Sequence, residues 1–435
     1  SSIPSVIQIY RILFPILSIL LSPYYLRRMF RRGGYGKKIL YRLGYWPKLP
    51  KKDPRRQRIW IQAVSVGELF SISKMLIELL NDSSVEIILS GTTSTGLNLA
   101  EQYYGNRALA QGPFPLDWLP FSRRAWKRID PDLAILVDSE LWPEHFRQAN
   151  QRKVPVLVIN ARLSDRSYSR LGSSSIAKSL LIPSNLLVLA ASERQRKRWL
   201  ELGVQKENLQ VSGNLKIDAI DFKRLASEEH ETLKMEFGFS SDSLVLAGIS
   251  TWPGEEKMLL EIVQTLRLEN LDIRLLLIPR HAERSLEIKK ILEASPLSHH
   301  LRSSSHLAPP DNLVYLADTT GELSRLIQVT DFAFMGKTLP PNRGGQNPIE
   351  PIALGIPLVV GPNHENFQET CSEMFIHEAA QPGVSSNQVI SELIHLAKNP
   401  ELRKKFSQSA KTWIDQQGTP TRFTLEFIRT ILTNR

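Results

Sequence analysis

The chain has 435 residues, 42% of them hydrophobic, a formal net charge of +11 and one cysteine, Cys371. This length predicts two or three domains with sizeable cores. A single cysteine excludes an internal disulfide, which fits a reducing compartment, and a small buried hydrophobe is a better interpretation of it than a nucleophile. Residues 1–58 hold 14 Lys and Arg but one acid, so they carry +13 and leave −2 for the remainder. Because the body is nearly neutral, a nucleic-acid partner is disfavoured.

The N-terminal segment combines an apolar stretch with a basic one. Residues 1–26 carry one charge, Arg11, and basic residues are concentrated in 27–42. This order is the reverse of a secretory signal. The uncharged run 12–22 is short for a bilayer span, and Arg11 and Pro15 weaken a span further. We therefore predict a membrane-inserted or interfacial anchor, with the basic run on anionic lipid. A buried N-terminal helix with a solvated basic tail is the alternative.

Beyond residue 58, apolar runs of five to eight residues alternate with helical segments. This pattern indicates βαβ units and parallel sheets that are covered on both faces. Two groups of about five strands favour two doubly wound domains, and a barrel of eight repeats is the structural alternative. The predicted strands span 59–64, 85–90, 133–137, 154–159, 186–190, 244–249, 273–278, 314–317, 332–335 and 358–360.

Polar motifs follow several strands of the first group. Ser65-Val66-Gly67-Glu68 comes after the first strand, and Asp138-Ser139-Glu140 comes after the third. Ligands bind at the carboxyl ends of parallel strands, so these residues are candidates for a site. For Glu68 the alternative is a plain helix cap. Arg162 and Arg166 follow the fourth strand and suit a phosphate, since a guanidinium binds it in a bidentate way. A surface salt bridge is the alternative for both arginines.

The second group of strands is followed by similar motifs. Ser250 and Thr251 end a strand and precede a helix, so their hydroxyls and the helix N–H groups can cradle a phosphate. Simple helix capping is compatible with that interpretation. Arg280 and His281 stand at the end of the strand 273–278, again at an edge where ligands bind.

The octapeptide Gly344-Gly345-Gln346-Asn347-Pro348-Ile349-Glu350-Pro351 lies between two apolar runs, which predicts a βα loop. Pro348 suits the first turn of a short helix. The two glycines let backbone approach a ligand, and the helix N-terminus offers N–H donors to an anion. Glu350 can accept hydrogen bonds from ribose hydroxyls. Together these features describe a nucleotide-sugar site, and an ordinary tight turn is the alternative.

Eight runs of residues, in order along the chain, carry a resemblance to one family. They occupy residues 65–68, 139–143, 160–164, 213–216, 250–256, 279–281, 318–323 and 344–351. In this order they resemble the 3-deoxy-D-manno-oct-2-ulosonic acid (Kdo) transferases of Gram-negative lipopolysaccharide synthesis. Each run is weak alone, but eight in the right order are specific, and they cover the chain from the anchor to about residue 370.

The resemblance implies a GT-B fold, in which two Rossmann-like, doubly wound domains face each other across a cleft. It implies an inverting, metal-independent transfer of Kdo from CMP-Kdo to a lipid A precursor, lipid IVA, at the cytoplasmic face of the inner membrane. No cofactor is expected, and the oligomeric state is left open. We expect an anchor and basic arm at 1–58, an acceptor domain at 59–210, a CMP-Kdo domain at 211–395, and helices at 396–435 that pack back on the acceptor domain.

The resemblance also implies roles for individual residues, with Glu68 as the general base. The leaving group CMP is a monophosphate, so the acids at 138 and 140 are expected to shape the acceptor side rather than to hold a metal. The acceptor-side residues are Ser65, Gly67, Asp138, Glu140, Arg162 and Arg166. The donor-side residues are Lys216, Ser250, Thr251, Arg280, His281, Gly321, Glu322, Gly345, Gln346, Asn347, Glu350 and Asn366.

The chain departs from the family pattern at four positions. Gln62 and Gln346 stand where the family usually has His, Glu144 where it has Asn, and Asp138 where it has Glu. Two other functions are compatible with the sequence. One is a different GT-B enzyme that uses a UDP-sugar on a lipid acceptor, and the other is a non-catalytic module that binds a membrane surface.

Overall fold

The computed structural model describes residues 3–31, 34–63, 65–220 and 223–433. Val64 of the first predicted strand, Arg32 of the basic run, and the side chains of residues 3–5, 25–26 and 28–31 lie outside the description. The chain forms two compact units. The first comprises residues 1–219 and 419–435, and the second comprises residues 220–418.

The first unit contains a seven-stranded parallel sheet with the strand order β3-β2-β1-β4-β5-β6-β7. Its strands are β1 Gln57–Gln62, β2 Val85–Gly91, β3 Ala110–Pro113, β4 Leu133–Val137, β5 Val156–Ala161, β6 Leu187–Ala190 and β7 Leu209–Val211. Its helices up to the unit boundary are α1 Ile3–Arg31, α2 Val66–Ser71, α3 Ser73–Asn81, α4 Ser94–Tyr104, α5 Leu119–Ile129, α6 Pro143–Gln151, α7 Asp165–Gly172, α8 Ser175–Leu181, α9 Glu193–Glu201 and α10 Leu215–Asp218.

The core of the first unit lies on both faces of this sheet. Ile59 and Ile61 pack on one face, whereas Trp60 between them packs on the other, as the two-residue period of a strand requires. The Trp60 face also buries Trp46 and Trp126. Burial on both faces explains why the central strands read as continuous apolar runs in the sequence.

The second unit repeats this architecture, with the strand order β10-β11-β9-β8-β12-β13-β14 and all pairings parallel. Its strands are β8 Leu244–Thr251, β9 Ile273–Pro279, β10 His299–Leu301, β11 Val314–Leu316, β12 Phe332–Met335, β13 Leu358–Val360 and β14 Gln381–Pro382. Its helices are α11 Ser227–Glu236, α12 Glu255–Leu268, α13 Ser285–Glu293, α14 Leu323–Leu326, α15 Ile349–Ala353, α16 Gln368–Ile376, α17 Ser386–Lys398 and α18 Pro400–Gln416. Two doubly wound sheets exclude the alternative barrel.

Four strands that the sequence did not predict, β3, β7, β10 and β14, are the outermost strands of the two sheets. They have two to four residues each. An edge strand is covered less completely and needs no continuous apolar run, so the pattern that identified the inner strands misses it. His299 and His300 belong to β10.

The C-terminal helices divide between the two units. The last helix, α19 Pro420–Thr433, buries Leu425, Ile428 and Leu432 in the core of the first unit. Thr421 fixes its start, with N–H and hydroxyl hydrogen bonds of 3.0 and 2.7 Å to Asp218. Within the described part of residues 396–435, helix α19 therefore belongs to the first unit. Helix α18 lies in the second unit, where it packs on α15 and α17.

Helix α1 is the one described helix whose length and composition allow it to cross a membrane, over Val6–Tyr24. Only 6% of that window is buried. Arg11, which interrupts the apolar run, forms a bidentate ion pair with the fully buried Glu144, at 2.8 and 3.1 Å. Tyr10 donates to Asp117 at 2.6 Å beside it. The charge of Arg11 thus holds α1 against the rest of the first unit. An asparagine at position 144 could not form this ion pair.

We expect Ile428→Ala to lower the free energy of unfolding by about 3 kcal/mol, because it leaves a cavity in the core that α19 completes. Urea denaturation followed by circular dichroism measures this. Thr430→Ala, at an exposed position of the same helix, serves as the control and should change little. Equal effects of both substitutions would show that α19 adds nothing specific to that core.

Candidate functional site

The strand order reverses once in each sheet, and these two points are the candidate sites. Strand β1 pairs with β2 on one side and β4 on the other, and β8 likewise lies between β9 and β12. The loops that follow two such neighbouring strands run to opposite faces of the sheet. They therefore leave a crevice at the carboxyl ends of the strands, where ligands bind in folds of this kind.

The first unit gathers four charged residues at its crevice. Glu68 lies in the first turn of α2, Asp138 follows β4, Arg162 follows β5, and Lys216 lies at the start of α10. Burial lowers the pKa of the Lys216 ammonium, and so does the charge of Arg162, whereas Asp138 and Glu68 act in the opposite direction. The four groups are therefore electrostatic neighbours. Lys216 was expected in the donor domain, but the structure places it in the first unit.

Asn160 organises the loops around this charged group. It donates to the Asp138 carboxylate at 2.7 Å and accepts from the backbone N–H of Leu215 at 3.1 Å. Asp138 and Asn160 both have left-handed backbone, with φ of 63° and 50°. Asp and Asn tolerate that conformation better than other residues with side chains. This role of Asn160 was not predicted from the sequence, which shows an asparagine near the end of a strand, within the run 160–164.

Glu68 is held by a helix cap. The Ser65 hydroxyl accepts from the Glu68 backbone N–H at 3.3 Å and donates to the Glu68 carboxylate at 3.4 Å. This is the capping arrangement proposed as the alternative interpretation, and it positions the carboxylate at the helix N-terminus. Gly67 leaves this turn open, since a Cβ there would meet only Ser65 Oγ, at 3.9 Å. Arg166 lies apart, exposed on α7.

Glu140 forms a second buried acidic position beside the crevice. Burial raises the pKa of its carboxyl to about 7, against hydrogen bonds from Trp142 and Gln62 that lower it. Gln62 also accepts from Ser90 at 2.7 Å and donates to Thr92 at 3.2 Å. An amide can make all of these bonds as a neutral group, so the departure from histidine at position 62 preserves the network.

In the second unit, the ends of β8 and β12 come into close contact. Ser250 has a φ of 54°, and a Cβ built on Gly336 would lie 2.1 Å from its carbonyl oxygen, so only glycine fits at 336. Thr251 is fully buried, and its hydroxyl has no hydrogen-bond partner among the described residues. After β9, Arg280 is exposed, and the His281 ring lies edge-on to Trp252 with centroids 5.3 Å apart.

Two buried glutamates at the start of α12 fix the loops of this crevice. The Glu255 carboxylate accepts from four backbone N–H groups, those of Trp252, Lys337, Thr338 and Leu339, at 2.8, 2.9, 3.1 and 3.3 Å. Glu256 forms an ion pair with Arg284, which follows β9, at 2.7 Å. The sequence analysis used these residues only as part of a motif. The available signal was a pair of acids directly after Gly254, at a helix start.

The glycine-rich octapeptide packs on the loop that follows β13. Gly344 and Gly345 have φ of 101° and 73°. The Gly345 N–H donates to the Lys337 carbonyl at 3.1 Å, and a Cβ on Gly344 would lie 2.6 Å from Asn366 Nδ2. Both the conformation and the close contact therefore require glycine. Gln346, the departure from histidine, is partly exposed next to this contact.

Several polar side chains of the donor-side motifs already have hydrogen-bond partners within the protein. Asn347 accepts from the Ile349 N–H at 3.2 Å, just before α15. Burial raises the pKa of Glu350, which accepts a hydrogen bond from Ser324. Glu322 is held by the buried Arg302 through bonds of 2.8 and 2.7 Å, which keep the pKa of its carboxyl at about 2. At Gly321, with φ of 82°, a Cβ would meet nothing within 4 Å, so its backbone is open to a ligand.

We expect Glu140→Gln to flatten the pH dependence of stability. The folded-state pKa of about 7 exceeds the ordinary value of 4.5, so the carboxyl contributes stability at low pH that is lost as the pH rises through 7. Between pH 5 and pH 8 the free energy of unfolding of the native protein should fall by about 2 kcal/mol more than that of the variant. Urea denaturation at both pH values measures this, and parallel pH profiles would contradict it.

Several known proteins are similar to this chain over most of its length. A family model described as 3-deoxy-D-manno-octulosonic-acid transferase (kdotransferase) matches residues 37–219. The 3-deoxy-D-manno-octulosonic acid transferase of Haemophilus influenzae is 30% identical over 337 residues, 77% of this chain and 77% of that protein. The enzyme of that name from Bordetella pertussis is 28% identical over 382 residues, 86% of this chain and 87% of that protein.

Solved structures confirm the predicted GT-B fold class. A putative UDP-N-acetylglucosamine 2-epimerase from Listeria monocytogenes has a TM-score of 0.58 at 12% identity, covering 87% of this chain and 98% of that chain. The UDP-GlcNAc 2-epimerase from Neisseria meningitidis has a TM-score of 0.56 at 13% identity, covering 87% and 100%. At these identities the likeness shows the fold alone. From the match to the Haemophilus enzyme over most of both chains, this chain belongs to the family of 3-deoxy-D-manno-octulosonic acid transferases, the glycosyltransferases that transfer Kdo in lipopolysaccharide biosynthesis.

Proposed function

We propose that this protein transfers Kdo from CMP-Kdo to a lipid A precursor, lipid IVA, with inversion at the anomeric carbon and with Glu68 as general base. The observation that carries this proposal is the grouping of Glu68 with Lys216 and Arg162 at the crevice of the first sheet. A carboxylate beside two cations suits an acceptor that presents both a hydroxyl and phosphate groups.

The reaction requires one proton to move. As the acceptor hydroxyl oxygen attacks the anomeric carbon of Kdo, its proton passes to the Glu68 carboxylate. The bond between that carbon and the CMP phosphate oxygen breaks, and CMP leaves with the electron pair. The helix cap at Ser65 orients Glu68, although a helix N-terminus lowers the basicity of a carboxylate placed there.

Arg162 and Lys216 would bind the acceptor. Burial, and next the charge of Arg162, lower the pKa of Lys216, whereas Asp138 and Glu68 act in the opposite direction. A phosphate between Arg162 and Lys216 would relieve the repulsion between these two cations and would bring the acceptor hydroxyl to Glu68. We propose this acceptor role for Lys216, in place of the donor role that the resemblance implies, because its helix α10 belongs to the first unit.

The second unit would bind the donor. Its crevice offers the open backbone at Gly321 and the glycine-rich loop at Gly345. The buried Thr251 hydroxyl, which has no hydrogen-bond partner within the described part of the chain, lies at the end of β8 beside it. CMP carries one phosphate, whose charge can be met by cationic side chains and N–H groups, so we propose a reaction without a metal ion.

Helix α1 would hold the enzyme at the cytoplasmic face of the inner membrane. Most of the window Val6–Tyr24 is exposed in the structure, and the exposed Lys37, Lys48 and Lys51 follow it in sequence. Such an arrangement brings an enzyme with a lipid acceptor to the surface where that acceptor resides. The basic residues would lie on anionic lipid, where each contributes up to about 1 kcal/mol.

The purified full-length protein, with CMP-Kdo and lipid IVA in detergent, should yield a lipid whose mass has increased by one or more Kdo residues. UDP-N-acetylglucosamine as the donor should yield no product. The yield should be unchanged in EDTA, because no step requires a metal. Mass spectrometry of the lipid measures all three results, and turnover with the UDP-sugar alone would replace the proposal by the UDP-sugar alternative.

Glu68→Gln should lower kcat by about three orders of magnitude or more, because the amide cannot accept the proton while it retains the size of the side chain. Glu78→Gln, an exposed glutamate on the neighbouring α3, should be fully active. Circular dichroism should show both variants folded. Full activity of Glu68→Gln would leave Glu68 as a helix cap only. An inactive native protein would instead favour the non-catalytic surface module.

A further inference from the structure

Lys337 has an unusual backbone at the crevice of the second sheet. It follows β12 directly after Gly336, and its φ is 61°, in the left-handed region that side chains other than Asn and Asp rarely adopt. Ser250 at the end of the neighbouring strand β8 has a φ of 54°. Residues held in such conformations by their surroundings concentrate at functional sites, so the observed outlier calls for a functional explanation.

Two donor-side motifs fix the backbone of Lys337. Its N–H donates to the buried Glu255 at 2.9 Å, and its carbonyl accepts from the Gly345 N–H at 3.1 Å. Glu255 belongs to the motif at 250–256, and Gly345 belongs to the octapeptide. The backbone of Lys337 is therefore fixed by hydrogen bonds to both segments that were predicted to bind the donor. A fixed backbone sets the direction of the Cα–Cβ bond of the lysine.

That direction brings the ammonium over the Trp252 ring, 4.5 Å from its centroid. Trp252 in turn contacts His281 at the end of β9. The Lys337 ammonium thus stands among the loops that follow β8, β9 and β12. A cation–π contact orients the charge without neutralising it.

The ammonium keeps its charge available to a ligand. Within the described residues it forms no ion pair, and the nearby Glu255 carboxylate is engaged by four backbone N–H groups. Gln346, where the family usually has a histidine, is neutral and follows Gly345 directly. At this edge of the sheet, Lys337 therefore supplies a positive charge that position 346 does not.

We propose that Lys337 is a further donor-binding residue, whose ammonium pairs with the phosphate of the nucleotide. The proposal rests on the donor-binding function proposed above for the second unit. The ordinary alternative is a solvated lysine that only packs on Trp252. The two differ in one respect: the first requires the charge, and the second requires only the aliphatic stem.

Calorimetric titration of the full-length protein with CMP and with cytidine separates the two interpretations. Lys337→Met keeps the stem over Trp252 and removes the charge. It should weaken CMP binding by about tenfold or more, the usual scale for a charge-assisted hydrogen bond, and leave cytidine binding unchanged. Lys289→Met, on the exposed face of α13, is the matched control and should bind CMP like the native protein.

Lys337→Gly guards against misfolding, because glycine adopts the left-handed backbone freely and keeps both backbone hydrogen bonds. It should show the same selective loss of CMP affinity. Equal losses for CMP and cytidine, or no loss for either, would overturn the proposal. So would a variant with unchanged CMP affinity and a raised KM for CMP-Kdo, which would place the charge on the Kdo carboxylate.

The native protein distinguishes this failure from failure of the proposed function. If it turns over CMP-Kdo while Lys337→Met retains the native KM and CMP affinity, only the role of Lys337 is wrong. If the native protein neither binds CMP nor turns over CMP-Kdo, the proposed function is wrong, and the inference that rests on it is overturned too.

Discussion

The reversal of strand order near the centre of each parallel sheet is the constraint on which the rest of the structure depends. Helical crossovers bury the strands on both faces, so polar groups of a ligand site can be placed only where the strands end. At a reversal, the loops after two neighbouring strands separate and leave room for a ligand. Asp138 lies at this position in the first sheet, and Ser250 and Lys337 lie there in the second. All three have left-handed backbone. Asp138 directly follows β4 and Lys337 follows β12 after Gly336, whereas Ser250 lies at an irregularity in the pairing of β8 with β9.

Buried polar side chains, rather than ligand-contacting ones, hold these turns in place. Glu255 gathers four backbone N–H groups from two loops, and Asn160 joins the loop after β4 to the start of α10. A buried carboxylate is costly unless its oxygens are fully hydrogen-bonded, and here the loops supply the donors. Removing such a residue would therefore disorganise several loops together, which makes it important to the site without any contact to substrate.

The N-terminal helix α1 is also held by a buried carboxylate whose oxygens are hydrogen-bonded. Glu144 is completely buried, a position that a carboxylate can occupy only with a strong partner, and Arg11 provides a bidentate one. An arginine in an apolar helix would weaken a plain membrane span, as the sequence suggested. The ion pair between Arg11 and Glu144 instead attaches α1 to the rest of the first unit.

The sequence alone determined the parallel-sheet class, the ten inner strands and the motifs at their ends, because continuous apolar runs and loop residues are local properties. It could not locate the four edge strands, which are too short and polar to stand out. Only the tertiary structure decided that Lys216 joins Glu68 in the first unit, that Glu255 organises two loops, and that Lys337 carries its charge over Trp252. These contacts join residues that are far apart in the sequence, so no local sequence pattern predicts them.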